Sequence, residues 1–199
     1  MRTAIVRLGV GNLGSLTATL KRLGHQVDVW ESDRDVKPAD WVIFPGVGSL
    51  SSVQQQVAQR RFGRPLQTIH QDGVPALGIC LGMQLWFEKG EEGGRGLGWL
   101  GGTVPRLSAG ILPHVGWNDL EVTPHAPDWL SSFHKESFYF VHSYRVMPED
   151  AASVAMTTDY EGHFPSVIVA PHLYGLQFHP ELSGDAGEAL LDHIFCHGR

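Results

Sequence analysis

Up to Glu88 the chain alternates short apolar runs with stretches of helical period. Thr3 to Leu8 is apolar and β-prone, and Gly9-Val10-Gly11-Asn12 turns the chain. Leu13, Leu16, Leu20 and Leu23 then recur at helical spacing, with Gly24 as a stop. Gln26 to Glu31 alternates as a second strand. Trp41-Val42-Ile43-Phe44 is a continuous apolar run, the pattern of a strand buried on both faces, and it ends in Pro45-Gly46-Val47-Gly48-Ser49. A polar helix follows through Gln59. Ala76 to Ile79 reads as another short buried strand, and Leu81 to Glu88 as a helix. The second half favours strands, at Phe138 to Val141, Ala152 to Thr157, Ser166 to Ala170 and Tyr174 to Phe178. A last helix runs from Asp185 to Phe195. This order predicts an α/β fold, an open mixed, largely parallel sheet flanked by helices. In such sheets the site lies at the carboxyl ends of the strands, so chemically loaded residues are expected there.

Composition narrows the class of protein. At 199 residues, without repeats or a linker-like tract, residues 1–199 read as one domain. Hydrophobic residues at 42% suffice for a core, and a charged fraction of 18% is too low for a disordered or coiled-coil chain. A net charge of −6 lacks the basic face that nucleic acid requires. The longest apolar stretch, Val74 to Phe87, contains Pro75 and Gln84 and is shorter than the ~20 residues of a membrane span. The N-terminal apolar run is too short for a signal peptide and is punctuated by Arg7. A soluble, cytoplasmic protein with no membrane or nucleic-acid partner is expected. The two cysteines, Cys80 and Cys196, make no disulfide scaffold. His193 and His197 stand four apart, but no ligand-spaced carboxylate or Cys pair accompanies them, so neither metal nor cofactor is expected.

Three segments carry chemistry. Cys80 sits in Gly78-Ile79-Cys80-Leu81-Gly82, a glycine-flanked nucleophile pattern at a strand-to-helix junction. A side chain at either glycine would clash across the sharp turn, and the helix from Leu81 would aim free N–H groups at the sulfur and favour the thiolate. In Gln177-Phe178-His179-Pro180-Glu181, Pro180 restricts His179 to extended backbone. Glu181 then lies on the same side as His179 and can hold one ring nitrogen, turning the other toward a nucleophile. Pro45-Gly46-Val47-Gly48 follows a strand, and its glycines free backbone amides to serve as oxyanion donors. Gly9-x-Gly11-x-x-Gly14, with Glu31 downstream, matches a dinucleotide fingerprint only on paper.

Together these pieces resemble the class I, triad-type glutamine amidotransferases. The strongest part is Gly78-Ile79-Cys80-Leu81-Gly82-Met83-Gln84 with Phe178-His179-Pro180-Glu181. Gly11-Asn12-Leu13, Pro113-His114-Val115-Gly116-Trp117-Asn118, Tyr139-Phe140-Val141-His142-Ser143-Tyr144 and Ser183-Gly184 point to the branch that works with a (β/α)8-barrel cyclase in histidine biosynthesis. The resemblance implies a flavodoxin-like fold and hydrolysis of L-glutamine to glutamate and ammonia. It implies Cys80 as nucleophile, His179 as base and acid, and Glu181 as the group orienting the imidazole. Val47, Gly48 and Leu81 would form the oxyanion hole, and Gly46, Gln84, Ser143 and Tyr144 would line the glutamine pocket. Asn12 and Trp117 would face the cyclase, which receives ammonia through an internal tunnel.

Two positions depart from the family pattern. Arg7-Leu8 stand where Asp-Tyr is frequent, and Leu182 stands where a lysine often follows the glutamate. Both bear on salt bridges to the partner rather than on the triad, and Leu182 suits an apolar contact instead. Other readings are a glutaminase serving a pyridoxal phosphate, anthranilate or aminodeoxychorismate synthase, a catalytically silent interaction module, and a general cysteine hydrolase.

Overall fold

The alternation of side chains along five short strands gives the sheet two buried faces. The computed structural model describes residues 1–9 and 13–198. In chain order its elements are β1 (Arg2–Val6), α1 (Leu13–Arg22), β2 (Gln26–Trp30), β3 (Trp41–Phe44), α2 (Leu50–Gln59), α3 (Gly63–Gln71), β4 (Ala76–Ile79), α4 (Leu81–Gln84), β5 (Lys89–Gly90) and β6 (Gly102–Val104). There follow β7 (His114–Asp119), β8 (Glu121–Val122), β9 (Ser137–His142), β10 (Met147–Pro148), β11 (Val154–Asp159), β12 (His163–Ala170), β13 (Leu173–Leu176) and α5 (Gly184–His197). The main sheet has eight strands in the order β2-β1-β3-β4-β13-β12-β11-β8. From β2 to β13 neighbours are parallel, and the remaining strands are antiparallel.

Ile5, Trp41, Ile43, Leu77, Ile79 and Leu176 face one way, against Leu16 and Leu20 of α1 and Leu190, Leu191, Ile194 and Phe195 of α5. Val6, Val42, Phe44 and Ala76 face the other way, against Leu50 and Val53 of α2, Leu66 of α3 and Leu81 and Met83 of α4. This is the period-2 pattern of a sheet covered on both sides. The carboxyl ends of β3, β4 and β13 consequently lie side by side.

Several elements differ from the sequence reading. The helix expected from Leu81 to Glu88 is a single turn, Leu81–Gln84. The helix α3 and the strand β7 are additional. Strand β7 pairs with β9 in a separate two-stranded antiparallel sheet, with His114 opposite His142 and Trp117 opposite Tyr139. Asn12 lies outside the described residues. The acidic residue of the nominal dinucleotide fingerprint, Glu31, is committed to Arg7 at 2.7 Å and Arg60 at 3.1 Å, which leaves it no free role on a ribose. Among the described residues, no helix is long and apolar enough to cross a membrane.

Candidate active site

The turn after β4 holds Cys80 in a backbone conformation that only a constrained site sustains. Its φ of 53° and ψ of −111° lie in the left-handed half of backbone space, where a non-glycine residue is strained. The glycines on either side make this turn fit. A Cβ at Gly78 would stand 2.6 Å from the Met83 Cα, and one at Gly82 would stand 1.6 Å from the Phe44 carbonyl oxygen at the end of β3. The nucleophile pattern is thus a packing requirement of β4 against β3 and α4. With only one turn of helix behind it, the dipole acting on the sulfur is small, and side chains must do most of the work.

The segment after β13 brings in the imidazole. His179 is extended, at φ −106° and ψ 94°, as the following proline requires. Glu181 reaches it from a short 3-10 turn, with its Oε1 2.9 Å from Nδ1. Because the carboxylate only accepts, Nδ1 carries a hydrogen and Nε2 is turned elsewhere. Nε2 is buried and has no hydrogen-bond partner at rest. Burial works against the imidazolium, but the nearby Cys80 sulfur and the Glu181 carboxylate that holds Nδ1 outweigh it and raise His179 to about 10. At neutral pH the His179 ring is therefore protonated.

The two-stranded sheet β7–β9 closes the site. The Cys80 thiol points at the Val141 carbonyl at 3.9 Å. The His179 N–H donates to the Tyr139 carbonyl at 2.8 Å. The buried Ser183 hydroxyl accepts from the Tyr139 N–H at 3.0 Å and donates to the His179 carbonyl at 2.7 Å. Gln84 lies beneath, its Nε2 donating to the Tyr144 carbonyl at 3.0 Å and to the Gln177 Oε1 at 3.1 Å. Gln177, which is fully buried, donates from Nε2 to the Cys80 sulfur at 3.6 Å. Ser143 is half-buried beside this group, and its carbonyl accepts from the Leu107 N–H.

The segment after β3 lies on the other side of Cys80. Gly46 packs against Leu81, and its carbonyl accepts the Leu81 N–H at 3.3 Å. One of the expected oxyanion donors is thus occupied at rest. Val47 is exposed, and Gly48 has a φ of 119°, which favours glycine. Trp117 is 58% exposed and packs on Tyr139, with Val115, Ile111 and Leu182 also exposed. Cys196 is exposed, on α5.

Sequence reasoning named Cys80, His179 and Glu181 but assigned nothing to Gln177, Ser183, His114 or His142. Gln177 stands two residues before His179 in extended chain, on the same side, and that period was the available signal. His114 and His142 form a buried pair with Nδ1 to Nε2 at 3.1 Å. The His142 Nδ1–H donates to the Tyr144 carbonyl at 2.8 Å, so its Nε2 accepts from His114. Burial lowers both rings to about 4.

These shifts set an expected pH dependence of stability. Above pH 6.5 the two histidines are neutral in both folded and unfolded chains. As pH falls, the unfolded chain takes up protons first, so stability is lost progressively toward pH 4. His179 acts in the opposite sense: its contribution is complete below its unfolded value near 6.5 and is lost as pH rises through about 10. Urea titrations between pH 6.5 and 5, above the carboxylate range, are expected to show a loss of about 3 kcal/mol. A flat profile there would contradict the neutral His114–His142 pair.

This elbow, imidazole and carboxylate at the carboxyl ends of a doubly covered parallel sheet have the arrangement of a cysteine-nucleophile hydrolase site. The family model for class-I glutamine amidotransferases matches residues 5–197, and the chain belongs to that family. It is similar over nearly its full length to the imidazole glycerol phosphate synthase subunit HisH of several organisms. Against the Methanopyrus kandleri subunit it is 42% identical, covering 98% of this chain and 97% of the relative. Against the Moorella thermoacetica subunit it is 40% identical, covering 96% and 92%. The chain therefore falls in the same branch as these subunits. In fold it is similar to a solved glutamine amidotransferase, at TM-score 0.75 and 18% identity over 97% of both chains. It is likewise similar to a structure of PurLQS from Thermotoga maritima, at TM-score 0.79 and 18% identity over 100% and 99%.

Proposed function

We propose that this chain is the glutaminase subunit of an imidazole glycerol phosphate synthase, releasing ammonia from L-glutamine for a (β/α)8-barrel cyclase partner. The observation that carries the reading is the strained Cys80 beside a buried, proton-bearing His179 held by Glu181. The Cys80 thiolate attacks the side-chain amide carbon of glutamine. The negative charge that forms on the amide oxygen is met by backbone N–H groups of Leu81 and of Val47 or Gly48. His179 passes its proton to the departing nitrogen, and ammonia leaves a glutamyl thioester. Water then attacks, His179 takes its proton, and glutamate is released as the Cys80 thiolate is restored, the carboxyl proton passing to solvent. Gly46, Gln84, Ser143 and Tyr144 would line the glutamine pocket.

The resting geometry supports control by the partner. The Leu81 N–H is spent on the Gly46 carbonyl, so this donor is free for an oxyanion only when the Pro45–Gly48 segment moves. Gly46 and Gly48 make such a peptide rotation cheap. Val47 on that segment is exposed, as are Val115, Trp117 and Leu182, which offers a partner apolar side chains to cover. Arg7, paired with Glu31, is already neutralised. One oxyanion donor is worth roughly a hundredfold to a thousandfold in turnover. Ammonia release is therefore expected to rise at least about a hundredfold when the cyclase and its sugar-phosphate ligand are added. Equal rates with and without them would contradict the switch, and no release in any arm would contradict the function.

A further inference from the structure

The Cys80 sulfur sits between two groups with opposite hydrogen-bonding character. The Val141 carbonyl, at 3.9 Å, can only accept and so serves the thiol. The Gln177 amide, at 3.6 Å, serves the thiolate if its N–H side faces the sulfur. Which side faces the sulfur is settled by the chain of contacts behind it. The Tyr144 carbonyl only accepts, so Gln84 must present its Nε2 to it. The second hydrogen of that Nε2 then requires an acceptor, which is the Gln177 Oε1. With its oxygen taken, Gln177 turns its Nε2 to the sulfur. Gln177 is fully buried and Gln84 nearly so, leaving no water to substitute for either contact.

We propose that Gln177 is a catalytic residue whose amide N–H stabilises the Cys80 thiolate, and that Gln84 is the positioning residue that points this donor at the sulfur. This deepens the glutaminase reading, resting on Cys80 as its nucleophile. No bond is made or broken by either glutamine. Gln177 shifts the thiol proton toward His179 and holds the sulfur in place while that proton is on the ring. Both donors of Gln84 are already committed, so only its Oε1 remains to meet a substrate.

The test is the rate at which iodoacetamide alkylates Cys80 across pH, in a Cys196→Ser background that removes the exposed thiol. Gln177→Met keeps the length of the side chain and removes the N–H. Its alkylation at pH 7 is expected to fall about tenfold, with the rate profile displaced about one pH unit to the alkaline side. Gln177→Glu still accepts from Gln84 but sets negative charge against the sulfur, and a larger fall is expected. Gln84→Met leaves Gln177 unanchored, and a smaller displacement in the same direction is expected. An unshifted profile in a folded Gln177→Met chain overturns the proposal. Should that variant not fold, an unshifted profile in Gln84→Met overturns it. Alkylation needs no turnover, so a displaced profile in a chain that releases no ammonia would count against the glutaminase reading alone.

Discussion

Replacing Cys80 with alanine is expected to lower kcat/KM for ammonia release from glutamine by at least about ten-thousandfold, with the fold retained. No other described group can take the sulfur's place. His179 has one nitrogen on Glu181 and the other buried, and the neighbouring Gln177 and Gln84 are amides. Cys196 is an exposed thiol on α5, away from the carboxyl ends of β3, β4 and β13. Alanine also relieves none of the neighbours' packing, and its small side chain tolerates the elbow no worse than cysteine does. Thermal melts should therefore stay near wild type while turnover disappears. Retention of more than about one per cent of activity would mean that the thioester route is wrong.

Gly82→Ala is expected to have the largest structural effect of any single methyl added near the site. The new Cβ would fall 1.6 Å from the Phe44 carbonyl oxygen and 2.5 Å from the Phe44 carbonyl carbon. These are backbone atoms of a central strand, hydrogen-bonded to its neighbours, and they cannot swing aside as a side-chain tip would. The elbow would have to lift from β3, carrying Leu81 away from Gly46 and the oxyanion segment with it. A loss of about 3 kcal/mol or more is expected, seen as a Tm about ten degrees lower. A Tm within about two degrees of wild type would contradict the close approach of α4 to β3.

The parts of this fold that could be read from the chain are those governed by local pattern. The strands β3 and β4 have the predicted bounds because each is a four-residue apolar run buried on both faces. The helix α3 went unread because only Leu66 in it is fully buried, and Gly63 and Pro65 at its start look like a turn. The strand β7 carries Gly116 and Asn118 and is held as a strand by pairing with β9, a partner distant in sequence. The site divides in the same way. Cys80, His179 and Glu181 were legible because glycines, a proline and two-residue spacing mark them locally. The role of Gln177 depends on how Gln84 is turned, which the Tyr144 carbonyl decides through space. The resting occupation of the Leu81 N–H by Gly46 likewise depends on the distance between two strand ends, which no local pattern encodes.

A γ-diazoketone analogue of glutamine probes the whole arrangement at once, because it reacts only where a glutamine pocket, an activated sulfur and a proton donor coincide. Intact-mass analysis with peptide mapping, run with the cyclase and its ligand present, should find one adduct, on Cys80, slowed by added glutamine and absent in His179→Ala. An unmodified Cys80, or labelling that falls on Cys196 instead, would show that sulfur and imidazole do not act as a pair.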